Sequence, residues 1–224
     1  MIHDVKTLVI RFKNNIYHDE IPLFRGAVIN AVAGQDNQLF HNHEGDSFRF
    51  QYPLIQYKRI SQKAALVCVG EGTEKIGMFF TKGDFQLQIG KRSDLFEIEN
   101  LTPRKTIVQA WNDPFCYYLR DWLPLNGANY QQYQVLEGVV ERTQMLEKIL
   151  VGNILSFCKS LGITIDRAIE CKILQLGTPR KVRFKGVGMM SFDAEFRCNV
   201  SLPNYIGLGK GVSIGHGTIV MKSK

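Results

Sequence analysis

The spacing of apolar residues switches between two periods along this chain, and it does so twice. A spacing of two sends alternate side chains to opposite faces of a strand, while a spacing of three and four gathers them on one side of a helix. Lys6–Lys13 (KTLVIRFK) is β-branched and alternating, which predicts a strand. Asp19–Val32 (DEIPLFRGAVINAV) sets acidic residues before Pro22, apolar residues at helical spacing after it and Gly34 beyond, which predicts a helix. Phe48–Tyr52 and Leu54–Arg59 alternate on either side of Pro53, and Ala64–Gly70 (AALVCVG) reads as a buried strand ending in a turn at Gly70–Gly72. Lys75–Phe80 starts a second helix, and Phe85–Gly90 and Leu95–Leu101 alternate again. Strand, helix, strands, helix, strand is the order of a ferredoxin-like sandwich.

Near Thr102–Pro103 the pattern restarts, which divides the chain into residues 1–103 and 104–224. Thr106–Ala110 and Phe115–Leu119 are strand-like, and a loop follows with Pro124, Asn126, Gly127 and Asn129. Tyr130–Leu161 then carries a long apolar stripe through Val135, Val139, Leu146, Ile149, Leu150, Ile154, Phe157 and Leu161, with Gly162 as a stop. Such a stripe packs on a sheet. Ala168–Leu176, Val182–Met190, Ser191–Val200 and Thr218–Lys222 are short strands. The expected fold class is α+β, with two sheet-plus-helix units in succession.

Several function classes drop out early. No stretch reaches the roughly 18 consecutive apolar residues that a membrane-spanning helix needs. Met1–Phe12 mixes charged and apolar residues and lacks the apolar core of a secretory signal. The five cysteines (Cys68, Cys116, Cys158, Cys171, Cys198) are widely spaced and form no CxxC, so the expectation is a reduced, cytoplasmic protein without a disulfide framework or zinc knuckle.

Charge placement narrows the partner. The formal net charge is +7, yet residues 1–103 balance 12 Lys/Arg against 12 Asp/Glu. Residues 172–224 carry nine basic groups against Asp193 and Glu195, and so hold the whole excess. Within them Arg180, Lys181, Arg183 and Lys185 fall close together. Lys and Arg gain affinity for a polyanion by displacing its condensed counterions. An unoccupied basic surface is the plain alternative.

Ile206–Val220 (IGLGKGVSIGHGTIV) has glycines at 207, 209, 211, 215 and 217. It satisfies neither the dinucleotide fingerprint, because Val212 stands where the third glycine belongs, nor a P-loop. Gly207, Gly209, Gly211, Gly215 and Gly217 permit positive φ and close backbone approach, so that N–H groups can face phosphate oxygens, with Lys210 adding a point charge. A tight hairpin is the competing reading. A left-handed β-helix is not, since one short pass cannot stack the three or so repeats a solenoid requires. A small-molecule transferase using this loop predicts no salt-dependent affinity for RNA.

Of five histidines, His3, His18 and His216 stand alone, whereas His41 and His43 lie two apart in Leu39-Phe40-His41-Asn42-His43-Glu44-Gly45. Spacing of two puts both rings on one face of an extended segment, or lets them converge within a loop. Imidazole both takes and gives a proton near neutral pH, so the pair suits the base and acid of an RNA transesterification. Metal ligation with Glu44 or Asp46 and a purely structural role stand beside it, although no further His or Cys cluster supports a metal.

Arg25-Gly26 in the first helix, Leu39-Phe40-His41-Asn42-His43, then Tyr52-Pro53-Leu54-Ile55-Gln56-Tyr57-Lys58, then the basic strand region and the glycine-rich tail occur in that order. This combination resembles the CRISPR-associated repeat-processing endoribonucleases, the Cas-six family, and most closely its b-type branch. The resemblance spans both halves of the chain. It implies two tandem ferredoxin-like (RRM-like, RAMP-type) domains, CRISPR repeat RNA as partner, and no cofactor or metal. It further implies cleavage to a 5′-hydroxyl and a 2′,3′-cyclic phosphate by His41 and His43, with Gly207–Gly217 shaping the RNA-binding face. Tyr57 and Lys58 become candidates for orienting the scissile phosphate, against the alternative of a plain strand whose Leu54 and Gln56 face one side while Ile55 and Tyr57 face the other. A non-cleaving relative that only holds repeat RNA would keep the same fold and basic face. A homodimer and other CRISPR effector subunits are further partners that the resemblance admits and the residues do not decide.

Overall fold

The structure, a computed structural model, describes residues 4–32, 52–81 and 85–222. The chain divides into two compact units. The first contains Asp4–Thr106 together with Ser213–Gly215, and the second contains Ile107–Val212 and the residues from His216 onward. Both units are ferredoxin-like.

In the first unit, β1 (Asp4–Asn15) leads through a 3-10 turn into α1 (Ile21–Ala31), and β2 (Ile55–Ile60) and β3 (Lys63–Val69) follow. The sheet order is β2-β3-β1-β6, with β6 spanning Ile98–Ile107. Central β1 and β3 put Ile10, Phe12, Ala64, Leu66 and Cys68 on one face, where the buried Phe24, Ala27 and Val28 of α1 cover them. Pro22 sits in the first turn of α1, where the missing N–H costs no hydrogen bond. Phe24 anchors this core: it stacks on Phe96 at 5.5 Å and meets Phe12 and Tyr57 edge-on at 5.8 and 5.9 Å. Each such pair adds about 0.5–1.5 kcal/mol beyond the area it buries.

The expected second helix is two short pieces, α2 (Gly72–Lys75) and α3 (Gly77–Thr81). After it, β4 (Gln86–Ile89) pairs with β5 (Arg92–Leu95) in a separate two-stranded ribbon. Strand β6 runs straight through Thr102–Pro103, where the sequence pattern breaks.

The second unit repeats the plan in the order β11-β7-β10-β8, with β7 (Ala110–Trp122), β8 (Cys171–Leu176), β10 (Val187–Val200) and β11 (Thr218–Met221). The long helical stretch is two helices, α4 (Gly127–Val135) and α5 (Val139–Ser160), separated at Leu136–Gly138. That break explains why Val135 and Val139 are 77% and 78% exposed while Leu146, Leu150, Ile154 and Phe157 are buried. Helix α5 ends where Gly162 takes φ +68°, with the N–H of Gly162 on Lys159 O and that of Ile163 on Cys158 O, a Schellman closure. Residues 182–190, which read as one strand, form a hairpin instead. β9 (Arg180–Phe184) turns into β10 through Lys185 and Gly186, both at positive φ as a type I′ turn requires. Between β10 and β11, where a second helix would complete the plan, runs the glycine-rich loop with a single 3-10 turn at Val212–Ile214.

Candidate nucleic-acid interface

His41 and His43 lie outside the described residues. The remaining candidates fall into three groups, and the structure treats them differently.

Strand β2 alternates as its sequence suggests, and Ile55 and Tyr57 enter the aromatic core. Tyr57 is 1% exposed, its buried hydroxyl has no hydrogen-bond partner among the described residues, and burial pushes its pKa well up. A ring so enclosed does not reach a phosphate. Lys58 points to the opposite face, beside Gln56, and is equally buried. Burial lowers its pKa to about 7, so its charge is not spread over an accessible surface as a phosphate contact requires.

The basic hairpin is divided. Arg180 makes two bonds to the carboxylate of Asp193, at 2.7 and 3.1 Å, and a third to Asp121 at 2.9 Å. Two carboxylates hold one guanidinium, which raises its pKa and cancels its outward field. Lys181, Arg183 and Lys185 are exposed. Lys181 and Arg183 share a face of the hairpin, opposite Met190 and Gly188, and the Lys185 amine lies 5.9 Å from the Phe184 ring centroid. These three side chains are the part of the hairpin able to meet a polyanion.

The glycine-rich loop folds back on itself as a hairpin. Tyr205 N–H donates to Ile219 O, Ile219 N–H to Ile206 O and Leu208 N–H to Gly217 O, and Gly207 bridges Thr218. The N–H groups of Lys210, His216 and Gly217 are also donated, to Leu123, Gly211 and Asp121. Its glycines serve close packing. Gly217 has φ +64°, and a Cβ there would stand 1.8 Å from Leu208 O. At Gly211 a Cβ would meet the His216 and Phe184 rings at 2.7 and 2.8 Å. His216 itself is buried edge-on against Phe184, with Nδ1 3.2 Å from Asp121 O. At Gly215 a Cβ would meet Ile21 of the first unit's core at 2.8 Å. Lys210 is the one exposed cation of this loop.

Sequence reasoning missed Asp121 as a partner of Arg180, since 59 positions separate them and no local signal links them. It also missed exposed Arg120 on the second sheet, and counted exposed Arg197 only within the basic excess of residues 172–224. The alternation of Cys116-Tyr117-Tyr118-Leu119-Arg120 was the available sign, because it sends Tyr118 and Arg120 away from the core that holds Tyr117 and Leu119.

Residues 3–107 match the family model for the Cas6b N-terminal domain, and residues 109–222 match that for the Cas6b C-terminal domain. The chain belongs to the Cas6b family. A crystal structure of Cas6b superimposes with a TM-score of 0.89 at 28% identity, covering 98% of this chain and 100% of that one. A crystal structure of the CRISPR RNA processing endoribonuclease Cas6b gives 0.75 at 25% identity over 98% and 100%. The protein MJ0978 of Methanocaldococcus jannaschii is 37% identical over 103 residues, which is 46% of this chain and 69% of that protein. Within a Cas6b framework, the exposed cations of β9 and the tightly closed glycine loop both belong to the C-terminal domain match.

Proposed function

We propose that this Cas6b chain is a cytoplasmic endoribonuclease that cuts CRISPR precursor RNA within its repeats, without a metal ion. The observation that carries the reading is the match of both Cas6b domain models, end to end, to a chain that also holds the His41/His43 pair. One imidazole takes the proton of a ribose 2′-hydroxyl, and that oxygen attacks the adjacent phosphorus. The bond to the 5′-oxygen breaks, and the departing oxygen takes a proton from the other imidazolium. The products are a 2′,3′-cyclic phosphate and a 5′-hydroxyl. Lys181, Arg183, Lys185 and Lys210 supply the charge that holds the phosphates.

Incubation of the protein with repeat RNA in EDTA tests this. Cleavage at one position, cyclic-phosphate ends, and loss of cleavage in both His41→Ala and His43→Ala are expected. Tight binding with no cleavage makes the protein a holder of repeat RNA. Cleavage abolished by EDTA overturns the metal-free mechanism.

A further inference from the structure

We propose that the outward face of the second unit's sheet, centred on Tyr118, is a platform for a single-stranded stretch of RNA. The proposal rests on the RNA-processing reading above and adds a second contact surface to it.

Tyr118 lies on β7, between β11 and β10, directly opposite Val220 on one side and Glu195 on the other. The core is on the opposite face, where Tyr117, Leu119, Ala194 and Phe196 are buried. Tyr118 is left 38% exposed in the middle of a sheet. Its position is fixed by Lys222, whose amine is 5.4 Å from the ring centroid and donates to Glu195 at 2.7 Å. An exposed aromatic in the middle of a sheet, with cations around it, is the arrangement on which unpaired bases stack.

The charge balance of this face favours a polyanion. The carboxylates that line the hollow with Tyr118 are engaged, Glu195 by Lys222 and Asp121 and Asp193 by Arg180, while Asp113, beside Trp111 in the second hollow, makes no ion pair among the described residues. Arg120, two positions from Tyr118 on the same face, and Arg197, opposite Cys116, are exposed and make no ion pair among the described residues. Two hollows meet at Glu195. One, of about 580 Å³, includes Tyr118, Arg120 and Arg180. The other, of about 990 Å³, includes Trp111, Phe115 and Met221. Trp111 is itself 38% exposed, and its indole N–H is anchored on Ser201 Oγ at 2.7 Å. A base against Tyr118, its neighbour in the Trp111 hollow and phosphates on the two arginines account for all of these features together.

The test uses the full chain and a fluorescein-labelled single-stranded octanucleotide of RNA in an anisotropy titration over several salt concentrations. Tyr118→Ala should weaken binding about fivefold or more, whereas Tyr118→Phe should stay close to the parent protein. Combined Arg120→Ala and Arg197→Ala should reduce the salt slope by about 1.4, or roughly 0.7 per lost phosphate contact. Circular dichroism checks that these exposed substitutions leave the fold intact. Parent-like affinity and salt slope in Tyr118→Ala and in the double arginine variant, or no binding of the octanucleotide by the parent protein, overturns the proposal. Cleavage of repeat RNA in EDTA, measured on the same preparations, reports separately on the endoribonuclease reading.

Discussion

Replacing Lys58 by methionine should change how the stability of this protein depends on pH. The amine is 1% exposed, and burial brings its pKa from the ordinary 10.5 down to about 7. Below pH 7 it is protonated in both folded and unfolded chains, and in the folded state burial works against the charged form. Between pH 7 and 10.5 the folded chain gives up this proton while the unfolded chain keeps it, so stability rises with pH. Each pH unit across that window is worth about 1.4 kcal/mol, and from pH 6 to pH 9 the rise comes to about 2–3 kcal/mol. A methionine thioether has no proton to lose. Urea denaturation of both proteins at pH 6, 7.5 and 9 should therefore show the parent gaining that amount relative to Lys58→Met. A constant offset between the two carries the side chain's other interactions, and the pH-dependent part isolates the proton. Two stability profiles that run parallel from pH 6 to 9 would refute the argument and return Lys58 to the accessible cations.

Other substitutions separate packing from binding. Gly217→Ala forces a side chain to within 1.8 Å of Leu208 O at a φ of +64°, and thermal melting should show a loss of more than about 3 kcal/mol or failure to fold. Gly152→Ala, in an exposed position of α5 with nothing within 4 Å, should raise stability by about 1 kcal/mol in the same assay. Lys181→Ala, Arg183→Ala and Lys185→Ala should each reduce the salt slope of repeat-RNA binding by about 0.7–0.9. Arg180→Ala should leave that slope unchanged, because Asp121 and Asp193 already hold its charge.

The order of strands and helices was readable because apolar spacing is a local property and burial enforces it. Strands β1 and β3 and helix α1 fall where alternation or helical spacing puts them, whereas β10 runs through the expected boundary at Met190–Ser191. Strand β5 escaped notice: its residues Arg92-Ser93-Asp94-Leu95 carry no alternation, and it is held by pairing with β4 and by bonds to Glu20 and Asn14, all distant in sequence or across a turn. The turn at Lys185–Gly186 and the break before Gly138 were hidden by apolar residues that kept a regular spacing on both sides. The interface was readable as charge and not as charge balance. Lysines and arginines can be counted along a chain, whereas the pairing of Arg180 with Asp121, or the enclosure of Lys58, comes into being only when distant strands meet. The histidine pair is legible as spacing alone, since its segment lies outside the described residues.

Ser213–Gly215 belong to the first compact unit, with Ile214 packed on a core that begins at Ile10 and Phe12. About two hundred residues therefore separate the two ends of one hydrophobic cluster. During synthesis the amino-terminal half leaves the ribosome before residues 213–215, which pack on its core, have been made. Its last stitch waits until Ile214 has been made. Maturation should thus be late and closely tied to completion of the carboxy-terminal half, and a shortened message ending before residue 213 should yield a half-closed product prone to proteolysis.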